Sequence, residues 1–179
     1  MARNVEIKAR VDDAGALAAR AAALSDTPVQ ILRQRDRFFA SSDGRLKLRW
    51  IDTDGASHAE LIHYHRPHQS GPKLADYRRV AVSDPEGLAS ILDAVLGGLG
   101  EVVKTRRLYR RGQTRIHLDT VAGLGEFLEL EVVLTDQQSP AEGQDIARAL
   151  MELLGVAAEN LLEGAYLDLL QGRDRDTGL

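Results

Sequence analysis

Charged residues stand two apart at several places in this chain: Glu6-x-Lys8-x-Arg10, Lys47-x-Arg49, Lys104-x-Arg106, Arg115-x-His117-x-Asp119 and Glu129-x-Glu131. In an extended segment, side chains two apart share a face. The signs are sorted by segment, with 47/49 and 104/106 basic and 129/131 acidic. Like charges so placed repel, and the sorting makes sense if a bound species neutralises each group. Basic groups suit phosphate oxygens, and arginine offers them two-point contacts. Carboxylates alone would repel phosphate, so acids beside these bases call for a hard cation, Mg²⁺ or Mn²⁺. A chain of phosphates with its metal is the ligand that needs both charges at once.

These residues must be positioned by strands. Alternation predicts strands over 4–11, 29–39, 45–50, 58–66, 76–82, 101–110, 113–121 and 126–134. Helices are expected over 13–24 after Asp12-Asp13, from Ser83-Asp84-Pro85 to Leu96, and from Ser139 to Leu154, opened by Pro140 and Glu142. A short helical piece holds Tyr166 to Leu170, and Gln171 to Leu179 reads as a polar, disordered tail after one domain over 1–170. The class is α+β with a largely antiparallel sheet.

On each strand the charged face opposes an apolar one. Asn4, Glu6, Lys8 and Arg10 oppose Val5, Ile7 and Ala9, while Arg45, Lys47 and Arg49 oppose Leu46, Leu48 and Trp50. Glu60, Tyr64 and Arg66 share a face more loosely. An ordinary sheet wet on one side is the plain alternative, but these faces hold few Ser, Thr or Gln. Closing the sheet gives a barrel with apolar outer faces under helices. Its lumen holds Lys8, Arg10, Lys47, Arg49, Lys104, Arg106 and Arg115 beside Glu6, Glu60, Asp119, Glu129 and Glu131.

Composition agrees with a globular chain. Its 179 residues are 44% hydrophobic and 28% charged, and the net charge of −4 argues against general nucleic-acid binding. No apolar run is long enough to cross a bilayer, the N-terminus carries no signal-like segment, and the absence of cysteine excludes thiolate metal sites. A soluble cytoplasmic protein is expected.

Val5-Glu6-Ile7-Lys8-Ala9-Arg10 is similar to the ExExK signature of the CYTH, or triphosphate-tunnel, superfamily. Lys47 and Arg49, Glu60, Lys104 and Arg106, and Glu129-Leu130-Glu131 match its ordered charged pairs. His117-Leu118-Asp119 with Gly123-Leu124-Gly125-Glu126-Phe127 resembles its class IV adenylate cyclase-like branch most closely. The resemblance runs from residue 4 to about residue 170. It implies an eight-stranded antiparallel tunnel in which Glu6, Glu129, Glu131 and Asp119 hold the metal. Lys8, Arg10, Lys47, Arg49, Arg66, Lys104, Arg106 and Arg115 would grip phosphates, with Asn4, Glu60 and Tyr64 also facing the tunnel. One departure is Asn4, which stands where the signature has its first Glu and so removes a negative charge.

Two chemistries fit such a site: cyclisation of ATP to cyclic AMP and pyrophosphate, and hydrolysis of tripolyphosphate or an organic triphosphate such as thiamine triphosphate. Lys8 is a candidate general base, although phosphate binding suits it better. A non-catalytic polyphosphate or nucleotide receptor is the rival of another class, and a homodimer stays open as the assembly. Trp50, Phe38, Phe39 and Tyr64 could stack on an organic group but read first as packing. Tyr166 could close one tunnel mouth or serve the core. His58, His63, His65 and His68 raise a zinc site, but parity puts His63 and His65 outside the barrel. An exposed edge strand beside a loop containing Gly71-Pro72-Lys73 is the preferred reading.

Overall fold

The computed structural model describes residues 2–65 and 71–176. Eight strands, β1 (Ala2–Arg10), β2 (Gln30–Phe39), β3 (Arg45–Thr53), β4 (Ala56–His65), β5 (Lys73–Val82), β6 (Gly98–Arg111), β7 (Thr114–Val121) and β8 (Gly125–Val133), form one closed barrel. Around it the order is β1-β5-β4-β3-β2-β6-β7-β8, and all neighbours run antiparallel. Two meanders, β2 to β5 and β6 to β8, are joined edge to edge by β2–β6, and β1 closes the ring between β5 and β8. Closure leaves every strand paired on both sides. β4 is therefore flanked by β3 and β5 and is not an edge strand, as its polar histidines had suggested.

Helices α1 (Ala14–Leu24), α2 (Pro85–Leu96), α3 (Pro140–Leu154) and α4 (Tyr166–Asp176) begin where local chemistry allows. Asp13 and Asp84 accept from the backbone N–H of Ala16 and Gly87, and Ser139 with Glu142 forms a reciprocal capping box. The outward strand faces pack beneath them. Ile7, Ala9, Ile116, Leu118, Leu128 and Leu130 meet Leu17 and Ala21 of α1 and Leu150 and Leu154 of α3. Phe39 and Leu48 meet Ala89 of α2. Each such leucine, isoleucine or phenylalanine removed from water contributes about 1.5–3 kcal/mol, and these clusters lie between the barrel's outer face and the helices.

Of the boundaries that differ from the sequence reading, three matter most. β5 starts at Lys73, so this lysine is not in the preceding loop: it is fully buried and donates to the Glu163 carbonyl at 3.0 Å. β6 starts at Gly98, directly after the Gly97 that ends α2. α4 continues to Asp176, through residues read as tail.

Candidate active site

The inward faces enclose a cavity of about 450 Å³. Register creates its first cluster: Arg49 lies opposite Asp36 across β3 and β2. Asp36 accepts from Lys47 Nζ at 2.9 Å and from Arg49 Nε and one terminal nitrogen, each at 2.6 Å. The second cluster repeats this on β6 and β7, where Arg106 lies opposite Asp119. Asp119 accepts from Lys104 at 2.8 Å, from Arg106 twice at 2.6 Å and from the Tyr166 hydroxyl at 3.1 Å.

The two basic pairs are thus neutralised by the protein's own aspartates, which corrects the expectation that a bound species neutralises them. Asp36 escaped the sequence reading because the other face of β2 is conspicuously basic. There Arg35 and Arg37 pair outward with Glu86, Asp93 and Glu101. The available signal was the alternation Leu32, Gln34, Asp36, Phe38 on the opposite face.

The third cluster sits on β7 and β8. His117 Nδ1 lies 3.8 Å from both Glu129 Oε2 and Glu131 Oε1, and one ligand atom from each residue falls within 4.8 Å of the others. His117 is 3% exposed, and this nitrogen has no hydrogen-bond partner among the described residues. A buried orphan nitrogen facing two carboxylates is a polar atom placed at a cost. Lys8 reaches Glu129 at 2.7 Å and lies 3.4 Å over the Tyr166 ring, Arg106 also bonds Glu129, and Arg115 reaches Glu131 at 3.3 Å. Glu6 lies opposite Glu131 in register and accepts from Asn4 at 3.2 Å.

Electrostatics prepares these groups. Burial alone would raise the Asp36 and Asp119 carboxyls, but Arg49 and Lys47, and Arg106 and Lys104, hold both well below the usual range. Glu129 is likewise lowered against burial by Lys8, Lys104 and Arg106, and Glu131 by His117 and Arg106. Burial, then the charge of Arg106, lowers His117. Two carboxylates and a neutral imidazole are the protonation states that ligate a cation. This donor set fits a divalent metal, with Glu129, Glu131 and His117 converging on one point.

Of the residues named from sequence, Asn4, Glu6, Lys8, Lys47, Arg49 and Glu60 line the cavity, as do Tyr64, Lys104, Arg106, Arg115, Glu129 and Glu131. Two do not. Asp119 is fully buried behind Lys104 and Arg106, so it joins the cations rather than the Glu129–Glu131 cluster. Arg10 is exposed at the end of β1, with its guanidinium 5.4 Å from the Phe127 ring. Arg66 lies outside the described residues. His117, left without a role in the sequence reading, is instead central.

The two ends of the cavity differ. At one, Phe38, Val102, Val121, Leu124 and Phe127 pack inside the barrel against Tyr166 and Leu167 of α4. Tyr166 therefore serves both as core and as stopper. Toward the other, Leu32, Ile51 and Leu108 form an apolar collar beside the exposed His58 and Arg110. Trp50 lies on the outward face of β3 against Arg35, at 3.7 Å, and Phe39 is core, so neither reaches the cavity.

No helix among the described residues is long and apolar enough to cross a membrane. The chain is 26% identical over 180 residues to a protein of Methanocaldococcus jannaschii named as a proposed adenylate cyclase, covering 93% of this chain and 97% of that one. The fold matches a Pyrococcus horikoshii protein with a TM-score of 0.79 at 22% identity, over 93% and 98% of the two chains. It also matches a Hippeastrum protein, proposed as an adenylyl cyclase and described as showing a dominant triphosphatase activity, with a TM-score of 0.62 at 16% identity over 95% and 96%. The family model for the CYTH domain matches residues 2–166, and with the closed eight-stranded barrel and its charged interior this shows that the chain belongs to the CYTH family.

Proposed function

We propose that this protein is a divalent-metal-dependent enzyme that cleaves a triphosphate inside its barrel. The observation that carries the reading is one cavity holding Lys8, Lys47, Arg49, Lys104, Arg106 and Arg115 together with the Glu129–Glu131–His117 cluster. Family membership supports the substrate class.

Lys47 and Arg49, at 13% and 14% exposure, would exchange part of their bonding to Asp36 for phosphate oxygens. Arg115, 28% exposed beside Glu131, would take the oxygens nearest the carboxylates. A Mg²⁺ or Mn²⁺ held by Glu129, Glu131 and His117 would supply charge neutralisation on the phosphates as the bond to the leaving group breaks. The remaining work is positioning: the chain is held extended between the two basic clusters, and the end of the barrel closed by Tyr166 limits how far it enters. In hydrolysis, the water oxygen bonds to the terminal phosphorus, the bridging oxygen leaves with diphosphate, and the water's protons pass to solvent.

Cyclisation of a nucleoside triphosphate is the second reading. It is favoured by the apolar collar of Leu32, Ile51 and Leu108, which would take an organic group, and by the name of the archaeal relative. There the ribose 3′-oxygen attacks the α-phosphorus, its proton passes to solvent, and pyrophosphate leaves.

ATP, tripolyphosphate and thiamine triphosphate, each with Mg²⁺ and with Mn²⁺, are the test panel. Phosphate release is expected, with a loss of about 100-fold or more in the Glu129→Gln/Glu131→Gln variant. Cyclic AMP with pyrophosphate would establish the cyclase instead. Tight binding of all three without turnover would make the protein a receptor.

A further inference from the structure

The turn between β2 and β3 and the outward face of β4 bring together residues that the tunnel does not use. His63 and His65 point away from the lumen, with ring centroids 4.9 Å apart and edge to face. Both direct Nε2 at Asp43: His63 to its main-chain oxygen and His65 to carboxylate Oδ1, each at 2.8 Å. Ligand atoms from Asp43, His63 and His65 all lie within 4.8 Å of one another.

Gly44 makes this approach possible. Its φ of +64° disfavours other residues, and a Cβ there would stand 2.9 Å from His65 Nε2, 3.0 Å from His63 Nε2 and 2.7 Å from the Tyr64 carbonyl. A larger residue would push the imidazoles off the turn.

We propose that Asp43, His63 and His65 form a second metal site, outside the barrel, for a borderline divalent cation of the Zn²⁺ type. Two imidazoles and one carboxylate select such an ion over Mg²⁺, whose ligands are oxygens. The site lies at the surface, with the His65 side chain 48% exposed, so water completes the coordination. Binding exchanges the two hydrogen bonds to Asp43 for metal bonds and ties the β2–β3 turn to β4. The bound cation therefore stabilises the folded protein by mass action and does not enter the reaction.

Tag-free, chelator-stripped full-length protein, titrated calorimetrically with Zn²⁺ against an Mg²⁺ control, tests this. The Glu129→Gln/Glu131→Gln protein is expected to keep a Zn²⁺ equivalent that raises its thermal midpoint. His63→Gln/His65→Gln and Asp43→Asn lose that equivalent or bind it more than about tenfold more weakly, while metal-dependent turnover of triphosphate is unchanged. Co²⁺ should give a visible absorption band that disappears in the same variants. Circular dichroism confirms that the variants fold. Equal Zn²⁺ binding by wild type and the His63→Gln/His65→Gln protein, or no Zn²⁺ equivalent in the folded Glu129→Gln/Glu131→Gln protein, overturns the proposal. Because that protein lacks the Glu129 and Glu131 carboxylates, the second outcome does not depend on the metal cluster in the tunnel, and the first compares two proteins with the same tunnel.

Discussion

The barrel contains the same device twice, in two electrostatic settings. Lys47 and Arg49 grip Asp36 on one side, and Lys104 and Arg106 grip Asp119 on the other, with the second residue of each pair opposite its aspartate in register. The first device keeps its cations 13% and 14% exposed. The second has cations only 3% and 5% exposed and an aspartate at 0%, with Tyr166 and Glu129 added to the network. A buried ion pair is costly to break because each charge is left without water. A pair at the cavity wall can trade its partner for another anion. By this logic we propose the Asp36 device as the adjustable phosphate grip, while the Asp119 device is a fixed wall that orients Arg106 and Lys104.

The difference is easiest to break at Asp119. Asp119→Asn leaves two cations in a site without solvent and is expected to cost about 3–5 kcal/mol in stability, measured by chemical denaturation. Asp36→Asn should cost less, about 1–3 kcal/mol, because Lys47 and Arg49 can be rehydrated. It should also tighten tripolyphosphate binding in calorimetry, since the competing carboxylate charge is gone. Equal losses in the two variants, or weaker tripolyphosphate binding to Asp36→Asn, would remove the distinction.

A subtler effect follows from Lys47. Burial and the neighbouring charge of Arg49 bring its pKa down to about 7, against the pull of Asp36. Above that pH the ligand-free protein carries it largely neutral. A bound triphosphate favours the charged form, so its pKa rises and binding takes up a proton. Affinity should therefore fall as pH rises from about 7 to about 9. Calorimetry at about pH 8 in two buffers of different ionisation enthalpy should show the uptake in wild type, and Lys47→Met should abolish it.

Much of the architecture was legible because alternation is strict. Ile7 and Lys8, Leu48 and Lys47, and Leu130 and Glu129 must face opposite ways whatever the rest of the chain does. One choice, charge inward, then fixes the apolar faces under the helices. Helix starts were equally readable at Asp13, Asp84 and Ser139, where capping is local. Lys73 was misread because Gly71-Pro72 looks like a loop, whereas pairing with β1, where Glu6 lies opposite Lys73, extends the strand up to the proline. Asp36 was overlooked because the arginines of β2 dominate its pattern.

By itself the sequence determined the strand faces, the helix starts and most of the charges that line the lumen, since these follow from local geometry of period two or from capping. Partnership was decided only by the tertiary structure. That Asp36 meets Arg49, that Asp119 is closed off behind Lys104 and Arg106, and that His117 joins Glu129 and Glu131 all depend on the register between strands. Register is set by hydrogen bonding and packing along whole ladders, so no single strand contains it.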